Sequence, residues 1–138
     1  MSARILLVAA GVTCAAVLIL AAQDPAVRTH HAWAAPTDRA NQVNPLADRP
    51  ETAAGGGKLF HQRCSQCHDA EGGGSRHAPS LVARGVQSQR DGELFWKISS
   101  GNTRRGMPSF SFLPELQRWQ LVLHLRALGA SHRATSPP

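Results

Sequence analysis

The chain has 138 residues, which favours a single domain, and it carries a formal net charge of +6. Its arginines are scattered along the chain and aromatic residues make up only 5% of it, whereas a nucleic-acid-binding surface combines clustered basic residues with interleaved aromatics. We therefore expect no nucleic-acid binding, and the basic excess predicts either a solvated surface or attraction to an acidic partner.

The chain opens on an apolar run. Residues 5–22 contain no charged side chain, which is just long enough for a membrane span and long for the core of a signal peptide. Ala32, Trp33 and Ala34 resemble a small-residue cleavage site, but they lie farther from the run than such sites normally do. Two alternatives stay open for residues 1–34: an uncleaved anchor, with membrane contact through the apolar run, or a cleaved signal peptide. Under either alternative, the rest of the chain is exported from the cytoplasm.

Two segments without regular structure are predicted to flank the folded part. Residues 35–52 are rich in Ala, Pro, Asp and Arg and show no apolar period, which predicts a flexible linker. The folded domain then covers residues 53–130, and a disordered tail covers residues 131–138. A core this small often depends on disulfides, a metal or a cofactor, and its two cysteines are too few for a disulfide framework.

Three helices are predicted in the folded part, and no segment shows the alternation of a strand. They cover about residues 54–66, 91–100 and 114–128. Gly101 and Gly129 are expected to end the second and third helices, since glycine is favoured just past a helix C-terminus. The chain is therefore predicted to form a small all-α domain with long irregular loops at residues 69–90 and 102–112.

Cys64, Cys67 and His68 form a Cys-x-x-Cys-His motif, for which several interpretations exist. A thioredoxin-like redox pair would follow a strand, and none is predicted. Structural zinc usually takes four protein ligands, and His77 is the conceivable fourth. A disulfide would leave His68 without a role. The specific interpretation is covalent haem attachment, because one helical turn presents two thiols to the porphyrin edge and an imidazole to the iron.

With this motif, the sequence resembles the class I c-type cytochromes over about residues 53–129. Further segments of the chain match that family in the same order. They are Gly56 and Phe60 before the motif, Ala78-Pro79-Ser80-Leu81, Gly106-Met107-Pro108-Ser109-Phe110, and Trp119 to Gly129. The resemblance implies a cytochrome c-like domain of three or more helices around one haem c, attached covalently through Cys64 and Cys67.

The resemblance also implies a role for individual residues. His68 would be the proximal iron ligand, and the carbonyl of Pro79 would accept a hydrogen bond from its other ring nitrogen. Met107 would be the distal ligand, with His77 as the rival for that position. His124 stands where the family often has an aromatic residue, so we expect it to pack between the first and last helices.

The function implied is that of a one-electron carrier rather than an enzyme, working in the bacterial periplasm. The domain would be soluble after signal cleavage or tethered to the inner membrane, and its redox partners would have acidic docking surfaces. Three alternatives stay open. They are a cytochrome c subunit of a larger dehydrogenase or oxidase, a haem enzyme in which Met107 is no ligand, and a zinc-binding interaction module.

Overall fold

The computed structural model describes residues 33–135, so the predicted signal or anchor run at residues 5–22 lies outside them. The helices, numbered in chain order, are α1 Thr37–Ala40, α2 Ala53–Arg63, α3 Ser65–His68, α4 Arg84–Gln87, α5 Asp91–Ser100 and α6 Glu115–Thr135. Single 3-10 turns lie at Pro50–Thr52 and Thr103–Arg105. Within these described residues there is no strand, only an isolated bridge between Asn102 and Met107. The prediction of an all-α domain is confirmed.

The core forms where α2 crosses α6. A Cβ atom on Gly56 would lie 2.0 Å from the carbonyl oxygen of Gln120, so only glycine allows the two helices to approach this closely. The ring of Phe95 stacks on that of Trp119 with centroids 3.9 Å apart, which joins α5 to the same core. The largest fully buried side chains are Trp119, Phe60, Leu121 and Val122.

The last helix is longer than predicted. It continues through Gly129 to Thr135, so the predicted stop at Gly129 and the predicted disorder of residues 131–135 are wrong. A Cβ atom on Gly129 would lie 2.2 Å from the side-chain oxygen of Gln87. Gly129 therefore lies within the helix, where its missing side chain makes room for Gln87, and it does not end the helix.

The other helices follow the predictions more closely. The helix predicted at 91–100 coincides with α5, whereas the one predicted at 54–66 is divided, because α2 ends at Arg63 and α3 follows as a separate turn. The predicted loop at 69–90 contains the short helix α4. Within residues 33–135, no helix has both the length and the apolarity to cross a membrane.

Residues 33–49, here called the N-terminal strap, pack on the domain. Asn44 and Leu46 are buried, and Leu46 belongs to the hydrophobic core. The Asn44 side chain donates to the carbonyl of Trp119 at 3.3 Å and accepts from the Leu46 backbone N–H at 2.9 Å. The prediction of a flexible linker over residues 35–52 is therefore wrong. The apolar side chains of the strap are few and lack a period, but two of them, Ala40 and Leu46, are buried.

His124 lies between α2 and α6, as predicted. Its ring centroid is 5.1 Å from that of Phe60, and its Nε2 is buried with no hydrogen-bond partner in the described part of the chain. Burial lowers the pKa of His124; the nearby His61 lowers it further, while Glu71 acts in the opposite direction. These surroundings thus favour the neutral imidazole.

We expect Gly56→Ala to lower the free energy of unfolding by about 1–3 kcal/mol or more, since the added methyl group forces the two main helices apart. Gly85→Ala is the matched control, because a Cβ atom at Gly85 has no neighbour within 4 Å. It should change stability by less than about 1 kcal/mol, in the stabilising direction. Denaturant unfolding of both variants tests this, and equal effects would contradict the close helix crossing.

We expect His124→Phe to reduce the loss of stability in acid. The unfolded chain protonates this residue with a pKa of about 6.5, whereas the folded chain does so at lower pH. The contribution of neutral His124 to stability is therefore fully present above the unfolded pKa of about 6.5 and is lost as the pH falls through the lower folded pKa. Melting temperatures at neutral and mildly acidic pH should differ less in His124→Phe than in the wild type. His61→Gln should reduce this difference in melting temperature by a smaller amount. An unchanged difference in His124→Phe would contradict the lowered pKa of His124 as a cause of the loss of stability in acid.

Candidate cofactor site

The Cys-x-x-Cys-His motif forms a single helical turn at the junction of α2 and α3. The backbone N–H groups of Cys67 and His68 donate to the carbonyl of Cys64 at 3.1 and 2.9 Å. Both cysteines and His68 line one cavity. The turn thus places two thiols and one imidazole around the same space, as the sequence predicts.

The state of the two thiols bears on the competing interpretations of the motif. Within residues 33–135 the two cysteines form no disulfide; Cys64 is half-buried and Cys67 is exposed. Burial raises the pKa of the Cys64 thiol to about 11, with a further contribution from the neighbouring Cys67. Reactive redox dithiols need a lowered thiol pKa, so this environment disfavours a redox pair. Across residues 33–135, no three side chains of His, Cys, Asp or Glu are grouped to hold a metal ion.

The imidazole of His68 is oriented by the backbone. Its Nδ1 donates to the carbonyl oxygen of Pro79 at 2.9 Å. Because a carbonyl oxygen only accepts, the proton lies on Nδ1, and Nε2 keeps its lone pair. This is the arrangement found in metal-ligating histidines, whose second nitrogen donates to a carbonyl or carboxylate.

The loop that carries Pro79 returns to the motif through a tight reversal. Asp69, directly after the motif, has a φ of 67°, and the N–H of Gly74 donates to the carbonyl of His68 at 2.9 Å. Gly74 has a φ of +88°, and a Cβ atom there would lie 2.5 Å from the backbone nitrogen of Ser80. Glycine at this position therefore lets the segment around Pro79 pack against the attachment turn.

The cavity has a volume of about 700 Å³, in the upper part of the range for ligand and cofactor pockets. Its apolar lining includes Phe60, Leu81, Val86, Leu94, Ile98, Phe110, Leu121 and Leu125. A large, mainly apolar group that bonds to two thiols and one imidazole fits this lining. The residues present therefore fit haem c.

Both candidates for a distal ligand reach the cavity. Met107 is half-buried against the core, and its backbone forms two hydrogen bonds with Asn102, of 2.8 and 3.0 Å. His77 also lines the cavity but is exposed, and its backbone N–H donates to the Ser75 hydroxyl at 3.2 Å. Met107 is thus the more firmly held of the two.

The structure adds lining residues that sequence reasoning missed. Trp33, Gln89 and Lys97 face the cavity, although none belongs to a recognisable motif. Burial lowers the pKa of Lys97, and Glu93 partly offsets this. The lining includes four positively charged side chains, which we call the basic rim: Arg63, Arg76, Lys97 and Arg105. No acidic residue stands among the described residues that line the cavity.

A protein-family model, described as cytochrome C oxidase, cbb3-type, subunit III, matches residues 51–125. No curated protein matches the chain. The matched region contains the attachment turn, Pro79 and Met107, and it excludes the N-terminal strap. The chain belongs to the c-type cytochrome family represented by this subunit, and its domain carries covalently bound haem c for electron transfer.

Proposed function

We propose that the chain is a single-haem, one-electron carrier in which His68 and Met107 are the axial ligands of the iron. One observation carries this proposal: both side chains line the cavity that the two thiols face, and His68 is held in the tautomer that leaves Nε2 free. The half-buried position of Met107 supports it over the exposed His77 as the distal ligand.

The protein groups around the site are suited to electron transfer. When bound, haem c supplies a one-electron couple between ferric and ferrous iron. The Pro79 carbonyl fixes the orientation of the His68 imidazole and raises its basicity. A thioether from Met107 would raise the reduction potential and occupy the second axial position, which leaves none for a substrate. The lining around the site is mainly apolar.

We place this carrier in the periplasm, either free or tethered to the inner membrane. The support comes from the apolar run at residues 5–22 and from the attachment chemistry, which takes place outside the bacterial cytoplasm.

A second candidate function is that of a cytochrome c subunit in a larger oxidase complex. The name of the matching family model favours it, and co-purification with other subunits from the native membrane would establish it.

The basic rim supports redox partners with acidic docking surfaces. Arg63, Arg76 and Arg105 are exposed at the cavity lining, where an approaching partner reaches the site. Opposite charges steer such encounters and raise the association rate, and salt screens them. The rim therefore favours acidic over basic partners for electron exchange.

The central test is the spectrum of the purified protein together with two variants. We expect a c-type haemochrome in alkaline pyridine, and a methionine–iron charge-transfer band in the ferric form. Met107→Leu should abolish that band and shift the ferric-to-ferrous equilibrium at least about tenfold toward ferric, a fall in potential of about 59 mV. His77→Gln is the control and should keep both properties. A band that survives in Met107→Leu would refute the proposed ligation.

The charge of the rim can be tested with small redox probes. The measured quantity is the rate at which ferricyanide oxidises the ferrous protein at an ionic strength of about 0.01 M. This rate should be roughly two- to fivefold lower for Arg105→Gln than for the wild type, because one positive charge near the site is lost. The control Arg133→Gln removes an exposed charge from the end of α6, outside the cavity lining, and should have less effect. A cationic cobalt(III) complex should show the opposite trend. Equal rates for all three proteins would refute steering by the rim.

A further inference from the structure

The strap places one aromatic side chain at the cavity. Trp33 lies upstream of the family match, which begins at residue 51, yet its half-buried ring lines the cavity together with Met107. The structure therefore joins to the site a residue that neither the motif nor the family match contains.

Trp33 is held in place by two contacts with α5 and the residue that follows it. Its Nε1–H donates to the carbonyl oxygen of Gly101 at 2.8 Å. The Lys97 ammonium lies 5.2 Å from the centroid of the ring, within the range of a cation–π interaction. Lys97 in turn donates to the side-chain oxygen of Gln89 at 2.6 Å. Trp33, Lys97 and Gln89 thus form one continuous section of the cavity wall.

The carbonyl that Trp33 binds lies at the base of the loop that carries Met107. Gly101 is buried and directly precedes Asn102. The Asn102 N–H donates to the Met107 carbonyl at 2.8 Å, and the Met107 N–H donates to the Asn102 carbonyl at 3.0 Å. The Gly101 carbonyl also accepts a longer bond, of 3.3 Å, from the Ser100 hydroxyl. The indole therefore anchors the peptide group from which the methionine loop begins.

We infer that Trp33 is a positioning residue for Met107: it fixes the base of the methionine loop and closes the adjoining cavity wall. This inference rests on the proposed ligation by Met107. Without the indole, the loop base keeps the Asn102–Met107 pair but loses its contact with the strap. The thioether then leaves the iron more often, and an added ligand competes for the distal position more easily.

The test uses the full-length haem-loaded protein and the variants Trp33→Phe and Trp33→Leu. Trp33→Phe retains a ring but removes the N–H donor, whereas Trp33→Leu also removes the cation–π contact. The readout is the imidazole concentration that replaces half of the methionine, followed by loss of the methionine–iron band. We expect this concentration to fall about threefold to tenfold in Trp33→Phe, which corresponds to one net hydrogen bond, and at least as far in Trp33→Leu.

The matched control is Val43→Ala, since Val43 lies in the same strap and is 81% exposed. Its imidazole titration should equal that of the wild type. If the imidazole titrations of both Trp33 variants equal that of the wild type, the inference is overturned and the proposed ligation stays intact. A wild-type protein without the methionine–iron band would overturn both. If Trp33→Leu does not fold, Trp33→Phe alone decides.

The N-terminus of the mature protein is an independent readout. Cleavage after Ala34 would remove Trp33, so a mature chain that lacks Trp33 would overturn the inference. A mature chain that contains Trp33, together with the expected imidazole titrations, would support it.

Discussion

The hydrogen bond from His68 Nδ1 to the Pro79 carbonyl is the constraint on which the site depends. It joins the attachment turn to a loop that must reverse and return within eleven residues. The return needs the close backbone approach at Gly74. The loop is also held at its other end, because the Gln87 side-chain amide donates to the carbonyls of Leu81 and Leu125 at 2.8 and 3.0 Å. The orientation of one imidazole thus depends on α4 and α6 as well as on its own turn.

The cofactor cavity and the hydrophobic core share their residues. Phe60 and Leu121 are fully buried core residues and also line the cavity. A domain of this size buries little apolar surface, so a group bound at this wall adds directly to the core. Binding to the folded state stabilises it by an amount that grows with the logarithm of the affinity, and covalent attachment through two cysteines makes that contribution permanent. Cofactor attachment and folding are therefore coupled in this chain.

The strap extends the domain beyond the region that the family model covers. Its buried Asn44 and Leu46 bind the core, and its first described residue, Trp33, reaches the base of the methionine loop. The loops on the two sides of the site are thus held from different directions, one through α4 and α6 and the other through the strap. Such support restricts motion of His68 and of the loop that carries Met107, which would suit the proposed carrier, since it changes only its oxidation state.

The all-α class, the attachment motif and the order of the matching segments could be predicted from the sequence, because they depend on short-range spacing and residue type. The sequence placed α5 correctly, since apolar period and a glycine stop agree there. It was wrong at Gly129 and at the strap, and it did not identify Trp33 as a residue that lines the cavity. In each case the outcome depends on a partner distant in the chain: Gln87 needs the space at Gly129, and Trp33 bonds a carbonyl 68 residues away. These features follow from contacts between distant segments, and local propensity carries no information about which distant side chain packs against a given residue.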